Sequence, residues 1–364
     1  MKRIGLILVL ITAILLSGCF PVLEQMEKRP FIPDASRESD LEQIDDMIEL
    51  RDYVLSQVKE GNLEFSFLYD GYEEIDPGLI AQMAGVCFVR VTQRGEEYDV
   101  ELTQFPGDRI VDAYFNDDTS YLTEDEFLAL EKAVEMVDTA KRLAEDNWDL
   151  ERLIHDILAE HITYSDADIY YDDPEEQPRH LSVIGALLDG EANCQGYTDA
   201  FYTLASIAGF EVGRLSVETA DDPHMVNTIC LDDKWYIVDV TYDDSADEAI
   251  SYHLFNAGLD MVGKEYFWSE EVEPHPVTPN SDNNAYYYRY DLVFTDMDDF
   301  AEYAAEAWAK DGTEIIYGML LNEDDGNEFS DSLAEALEDM SVSYEFRIWY
   351  SSNGYDTFYT IVFS

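Results

Sequence analysis

Three side chains with complementary chemistry follow one another along the chain at Cys194, His224 and Asp239. A thiolate can attack a carbonyl carbon, an imidazole can take the thiol proton, and a carboxylate can hold the imidazole in the reactive tautomer. Taken singly, such residues are more often structural than catalytic. Together they predict a catalytic site with Cys194 as nucleophile, His224 as base and Asp239 as orienting acid.

The residues around Cys194 predict a helix that begins at the thiol. Asn193 is a favourable N-cap, and Gly209 supplies a stop signal. Between them, apolar residues recur at helical spacing: Tyr197, Ala200, Phe201, Leu204, Ile207 and Ala208. Because the N-terminus of a helix carries partial positive charge, this position favours the thiolate form of Cys194.

A predicted hairpin brings the other two residues together. Residues 224–231 and 234–241 are rich in β-formers, and Asp232 and Asp233 form the two-residue turn between them. In that register Val226 lies opposite Asp239, and His224 is its diagonal neighbour on the same face. The backbone separation of roughly 7 Å is within reach of an imidazole–carboxylate hydrogen bond. A one-residue bulge would break this parity.

The motifs around these residues resemble those of the transglutaminase-like superfamily, whose core is papain-like. The matching segments, in order, are Gly185-Ala-Leu-Leu-Asp-Gly190, Cys194-Gln-Gly-Tyr197, His224 with Asn227, and Lys234-Trp-Tyr-Ile-Val-Asp239 with Thr241 and Asp244. The resemblance covers about residues 125–285. It implies an α+β fold in which the nucleophile helix packs on an antiparallel sheet, and it implies the same three catalytic roles.

Three positions differ from the usual family pattern. Many members carry an aromatic residue two positions after the histidine, where this chain has Val226. Asn193 stands where a small apolar residue is common, and Tyr242 stands where Trp is frequent. The lost indole concerns substrate contacts more than thiol chemistry. The backbone N–H of Cys194 is the natural first oxyanion donor, and a second must come from elsewhere in the fold.

The N-terminus predicts export and lipid anchoring. Lys2 and Arg3 precede an apolar run over residues 4–16, which is shorter than the ~20 residues needed to span a bilayer. The run ends in Leu-Ser-Gly-Cys at residues 16–19, which resembles a bacterial lipobox. Residues 1–18 are thus expected to be a signal peptide and Cys19 the lipidated residue. A proline-containing tether over residues 19–44 would hold the protein at the outer face of the cytoplasmic membrane.

The composition limits the partners. Without residues 1–18 the chain has 80 acidic and 19 basic residues, a net charge of about −61. Because phosphate contacts need clustered Lys and Arg, nucleic-acid binding is excluded. The histidines lack metal-ligand spacing and the acidic run 322–326 lacks the EF-hand register, so no cofactor is expected. Apart from Cys19, the cysteines do not form a disulfide framework, although a bridge between Cys87 and Cys230 stays open.

The length predicts more than one domain. We expect an N-terminal α/β module over residues 45–121, the transglutaminase-like domain over 122–284 and a C-terminal α/β module over 285–364. In the first module, helices are predicted over 42–59 and 79–83 and strands over 63–68, 87–92, 98–104 and 109–115. In the last, helices are predicted over 298–309 and 330–340 and strands over 314–319, 343–350 and 358–363. The similar element order suggests that the modules are related.

The aromatic segments 286–290 and 346–350 of the C-terminal module have two interpretations. They could line a groove for a peptide or glycan, or they could pack as half-buried sheet faces, the first segment joining the module to the core.

These features predict a lipid-anchored extracytoplasmic cysteine enzyme that acts on amide bonds of peptide or protein substrates through a Cys194 thioester. Water and amines can both accept the acyl group, and the abundance of water slightly favours hydrolysis. Cell-envelope peptide is the nearest substrate by location. The alternative is a non-enzymatic surface protein that uses the same fold and its flanking modules to bind proteins or glycans.

Overall fold

The computed structural model describes residues 41–72, 74–166, 178–219, 223–244, 249–258, 266, 284–321, 326–340, 345–352 and 356–363. The predicted signal peptide, Cys19 and residues 19–40 of the tether lie outside this part. The α-helices are α1 Met47–Lys59, α2 Pro77–Ala84, α3 Pro106–Asn116, α4 Glu124–Leu143, α5 Asn147–His161, α6 Cys194–Ala208, α7 Val240–Asp243, α8 Ala285–Arg289, α9 Met297–Glu306 and α10 Gly326–Asp339. No helix among the described residues is long and apolar enough to cross a bilayer.

The strands are β1 Glu42–Ile44, β2 Glu64–Tyr69, β3 Phe88–Arg94, β4 Glu97–Thr103, β5 Thr163–Tyr164, β6 Glu191–Ala192, β7 Val212–Glu218, β8 Pro223–Leu231, β9 Lys234–Val238, β10 Phe255–Ala257, β11 Val293–Phe294, β12 Ile315–Leu321, β13 Phe346–Ser352 and β14 Asp356–Phe363. A 3₁₀ turn spans Arg179–Leu181, and π-helical segments span Gly185–Asp189 and Ala307–Asp311.

The central part of the chain is an antiparallel sheet covered by the nucleophile helix. Its strand order is β10-β9-β8-β7, and α6 packs on β8, with α4 and α5 on its other side. The apolar stripe predicted from the sequence is buried here, with Phe201 and Leu204 of α6 against Ile229 and Val238 of the sheet. This arrangement confirms the α+β fold class, because helix and sheet share one core.

Two further four-stranded sheets flank this centre and have the same topology. Their orders are β1-β2-β4-β3 and β11-β12-β14-β13. In each, the first two strands are parallel and joined by a helix, and the last two form an antiparallel hairpin. The similarity of element order expected from the sequence therefore extends to strand order and direction.

The register of the two flanking sheets also corresponds position by position. Asp46 and Asp296 cap equivalent helices with their side chains. Tyr98 lies opposite Phe67 in the first sheet, and Tyr359 lies opposite Gly318 in the second. The second unit is one residue longer between its parallel strands, and it contains the π-helical segment 307–311. Because a π-type hydrogen bond spans one more residue than an α-type bond, this segment accommodates the extra residue.

Two predictions for the N-terminal module were wrong. Residues 42–44 form strand β1, so the helix predicted over 42–59 begins only at Met47. The strand predicted over 109–115 is part of helix α3. Pro106 begins this helix, and Ile110 and Val111 are buried one turn after Gly107, which is helical rather than alternating spacing.

The tyrosine run at residues 286–290 joins the last sheet to the centre. Tyr286 stacks on Tyr252 with ring centroids 4.2 Å apart, and Tyr287 contacts Phe358 of β14 at 5.4 Å. Both are buried, whereas Tyr290 remains exposed. Packing is therefore the role that the structure shows for Tyr286 and Tyr287.

Glu151 is a buried carboxyl group whose ionisation opposes folding. One oxygen accepts a hydrogen bond from Asn256 at 2.8 Å, and the other has no partner among the described residues. Burial raises the pKa of Glu151 to about 8. A raised carboxyl pKa means that stability is lost as the pH rises from the unfolded value of about 4.5 to about 8.

We therefore expect Glu151→Gln to stabilise the protein in a pH-dependent way. The variant should unfold like the wild type near pH 5 and be more stable by on the order of 2–4 kcal/mol at pH 8, because the neutral amide requires no protonation. Urea unfolding followed at both pH values measures this difference. Glu160→Gln, at an exposed position of the same helix, is the matched control, and an equal gain at both pH values would contradict the explanation.

Candidate active site

Cys194 occupies the first position of helix α6. Asn193 has extended backbone geometry, and its side-chain oxygen accepts a hydrogen bond from the N–H of Gly196 at 3.2 Å. Gly209 ends the helix in the left-handed conformation at φ 106°. The helix limits and cap predicted from the sequence are thus confirmed. Cys194 is buried and lies at the positive end of the helix dipole.

A neighbouring turn closes on this helix end because two glycines leave room for it. A Cβ at Gly196 would lie 2.5 Å from the carbonyl oxygen of His180, and one at Gly185 would lie 2.4 Å from that of Arg179. The His180 carbonyl instead accepts the N–H of Asn193 at 3.0 Å. The glycines of the two motifs therefore serve close backbone approach at the nucleophile.

The hairpin after this helix has the predicted register. Leu231 pairs with Lys234, and the pairing continues without a bulge to Asn227 and Val238, where strand β9 ends. The predicted strand over residues 234–241 was therefore too long: residues 240 and 241 belong to helix α7, and the pairing stops one position before Val226 and Asp239. Asp232 and Asp233 have φ angles of 50° and 62°, as a two-residue type I′ turn requires.

His224 and Asp239 are hydrogen bonded as this register predicts. Nε2 of His224 lies 2.7 Å from Oδ2 of Asp239, which is fully buried, whereas 16% of the His224 side chain is exposed. Burial alone would raise the pKa of Asp239. The charge and hydrogen bond of His224, with further bonds from Tyr266 and the N–H of Tyr242, instead lower it. The carboxylate therefore stays ionised and can stabilise an imidazolium.

Strand β8 and the first turns of α6 are joined beside these residues. The hydroxyl of Thr198, one turn after Cys194, donates to the carbonyl of Met225 at 2.8 Å. The side chain of Asn227 returns a bond to the Thr198 carbonyl at 3.1 Å. Met225 directly follows His224, so these bonds place His224 and Cys194 at the same end of the helix–sheet contact. Because Nε2 of His224 binds Asp239, a proton exchange with Cys194 would have to use Nδ1.

Asp239 is held in place by the short helix α7 that it caps. Asp243, at the end of this helix, accepts the N–H of Leu254 at 3.1 Å and lies 3.3 Å from Nε2 of buried His155. Burial alone would lower the pKa of His155, but hydrogen bonds to Asp156 and Asp243 raise it to about 9. A charged imidazole therefore anchors the helix that presents the orienting carboxylate.

Residues 135–240, which include all three predicted catalytic residues, match the model of the Transglutaminase-like superfamily. This part of the chain is transglutaminase-like. Similar solved structures include one described as a crystal structure of a TGase, with 14% identity, a TM-score of 0.30, and coverage of 71% of this chain and 75% of that one. Another is Legionella pneumophila LapG, with 13% identity, a TM-score of 0.23, and coverage of 37% and 72%. No curated protein matches the chain.

Cys87, at the start of the N-terminal hairpin β3–β4, contacts residues next to Cys194 and His224, and the sequence did not predict these contacts. The side-chain amide of Gln195, next to the nucleophile, donates to the sulfur of Cys87 at 3.1 Å. Cys87 also packs with Phe105 against Met225, next to His224. Nothing in the local pattern around Cys87 signals this contact, because its partner lies 108 positions away.

Cys87 and Cys230 are both outside disulfides but differ in exposure. Cys87 and Cys230 are free thiols, which excludes the bridge between them that the sequence left open. Burial raises the pKa of both. Cys87 is buried, whereas Cys230 is partly exposed.

An aromatic residue from a distant segment, Tyr266, packs in the same cluster as Val226. Val226 is buried in a small apolar cluster that also contains Tyr266. The Tyr266 ring lies 5.8 Å from the ring of His224. Among the described residues, no group of three or more His, Cys, Asp and Glu side chains could hold a metal ion. The imidazole of His224 and the ionised carboxylate of Asp239 are side chains suited to acid–base chemistry.

Proposed function

We propose that the protein is a lipid-anchored, extracytoplasmic cysteine enzyme that acts on amide bonds of peptide or protein substrates. The observation that carries the proposal is the 2.7 Å bond between His224 and buried Asp239, in a transglutaminase-like segment whose nucleophile helix begins at Cys194. These are the parts that activate a thiol for attack on a carbonyl.

The proposed reaction proceeds through a thioester. His224 takes the proton of Cys194, and the thiolate attacks the amide carbonyl carbon. The backbone N–H of Cys194 is the proposed first donor to the resulting oxyanion. The C–N bond then breaks, and the leaving amine takes the proton from His224. An incoming nucleophile loses a proton to His224 and attacks the thioester carbonyl, the C–S bond breaks, and the released thiolate takes the proton back from His224, which restores the starting state.

The acceptor decides between two activities. Water gives a peptidase or amidase, and an amine gives an acyltransferase. We favour hydrolysis slightly, because water is present at every site and an amine must be bound. Anchoring through Cys19 would place the site beside the cell envelope, and envelope peptide is the proposed substrate class.

The reactivity of Cys194 tests the proposal. We expect reduced Cys194 to alkylate with iodoacetamide at pH 6 about tenfold or more faster than Cys230, because an ion pair with His224 populates the thiolate at that pH. His224→Ala should remove this advantage. Peptide mass spectrometry of one digest measures both cysteines, so that Cys230 is a control within each molecule.

The pH dependence separates activation from access. If His224 activates Cys194, the alkylation rate of Cys194 should change little between pH 6 and 8 in the wild type. In His224→Ala the same rate should rise about tenfold per pH unit. If Cys194 shows the steep profile in both proteins, the enzyme proposal fails and the non-enzymatic binding protein becomes the better interpretation.

Acetylation by p-nitrophenyl acetate then separates the two activities. Mass spectrometry of the Cys194 peptide detects the acetyl thioester, and added methylamine competes with water for it. The proposal expects acetate as the main product. Predominant N-methylacetamide would instead identify an acyltransferase.

A further inference from the structure

Tyr266 contacts both residues that are proposed to activate the nucleophile. Its hydroxyl donates a hydrogen bond to Oδ2 of Asp239, the same oxygen that Nε2 of His224 contacts. Its ring lies 5.8 Å from the His224 ring at an interplanar angle of 33°. Oδ1 of Asp239 is separately held by the N–H of Tyr242 at 3.0 Å. One carboxylate oxygen is thus shared between a phenol and the imidazole.

The position of the Tyr266 ring is fixed by packing. Tyr266 is 4% exposed and belongs to the cluster formed with Leu215, Val217, Val226, Ile237, Leu254 and Ala257. These residues lie on strands β7, β8, β9 and β10 or, for Leu254, directly before β10. Their packing around the Tyr266 ring holds the phenol hydroxyl at the Asp239 carboxylate.

We propose that Tyr266 is a positioning residue that weakens the pull of Asp239 on the His224 proton. This inference rests on the proposed function. A phenol that donates to the carboxylate withdraws part of its negative charge, so the imidazolium form of His224 is stabilised less than it would be by an unshared carboxylate. The effect keeps His224 able to give up its proton to the leaving amine.

The test is the protonation of His224 itself, which can be observed without turnover. The protein is labelled at the histidine ring carbons, and the His224 NMR signal is assigned as the one missing from His224→Ala. The test variant is Tyr266→Phe, which keeps the ring and removes the hydroxyl. We expect the midpoint of the His224 titration to move to higher pH by roughly 0.5–1 pH unit. Tyr287→Phe, at another buried tyrosine, is the control and should leave the midpoint unchanged.

The outcomes distinguish this inference from the proposed function. An unchanged midpoint in Tyr266→Phe, or an equal movement in Tyr287→Phe, overturns the role of Tyr266 whatever the reactivity of Cys194. A raised midpoint together with an unreactive Cys194 supports the Tyr266 contact and rejects the enzyme. A simple loss of packing would lower the unfolding temperature without moving the midpoint.

Discussion

Replacing Asp239 with Asn is expected to lower the rate of Cys194 acylation about 10³–10⁴-fold while leaving the fold intact. The carboxylate accepts three bonds: the N–H of Tyr242 on Oδ1, and His224 and Tyr266 on Oδ2. An Asn that keeps its oxygen toward Tyr242 turns its NH₂ group toward Nε2 of His224, which then must be the unprotonated nitrogen. The proton moves to Nδ1, so the imidazole cannot accept the thiol proton there.

The opposite amide orientation does not rescue the site. It would direct the NH₂ group at the N–H of Tyr242 and leave two donors facing each other in a buried place. Burst release of p-nitrophenol from p-nitrophenyl acetate measures the acylation rate. Asp233→Asn makes the same substitution at the exposed turn of the same hairpin, where φ is 62° and Asn is well tolerated, and should keep the wild-type rate. Acylation by Asp239→Asn within tenfold of wild type would remove Asp239 from the catalytic group.

Local rules explain which parts of the site could be predicted from the sequence. The cap at Asn193 and the stop at Gly209 depend on residues within one helix. The pairing of His224 with Asp239 follows from strand parity once the turn at Asp232 is fixed. In each case the deciding residues are close in sequence, so a pattern of side-chain types specifies the geometry. The α+β fold class follows from the same elements.

The remaining contacts depend on packing between segments that are distant in sequence. Tyr266 is 27 positions from Asp239, and no periodicity links the two. Residues 109–115 of helix α3 were predicted as a strand, although Pro106 and the spacing of its buried residues are local helix signals. The distant contact is the packing of α3 on α6, and this approach needs Gly107, where a Cβ would lie 2.3 Å from Oδ1 of Asp199. The predicted domain limits and catalytic roles stay predictions.

Asp199 is a buried junction between this helix and the nucleophile helix. Its carboxylate accepts the N–H of Gly107 at 3.2 Å and that of Val183 at 3.0 Å, and it pairs with Arg214 at 2.6 Å. The Arg214 guanidinium also pairs with Asp108 at 2.8 Å and lies 4.2 Å and 3.6 Å from the rings of Phe105 and Tyr202. A single cation thus neutralises the carboxylate that ties three segments together.

We expect Arg214→Met to destabilise the protein by about 3–5 kcal/mol, because it leaves Asp199 buried without its counter-ion. Burial raises the pKa of Asp199 even beside Arg214, and loss of the cation raises it further. Stability linked to a raised carboxyl pKa is lost as the pH rises, so the cost of the substitution should be larger at pH 8 than at pH 5. Urea unfolding at the two pH values measures this.

A surface pair provides the comparison that isolates burial. Arg90 pairs with Glu101 at 2.5 Å, with side chains 39% and 54% exposed. Arg90→Met should therefore cost less than about 1 kcal/mol, with little dependence on pH. Adding Asp199→Asn to Arg214→Met removes the unpaired charge and should recover part of the loss, most at pH 8. If Arg214→Met and Arg90→Met lower the free energy of unfolding equally, the junction does not depend on the buried charge. Apolar contacts between α3 and α6 would then be the main attachment of α3 to the nucleophile helix.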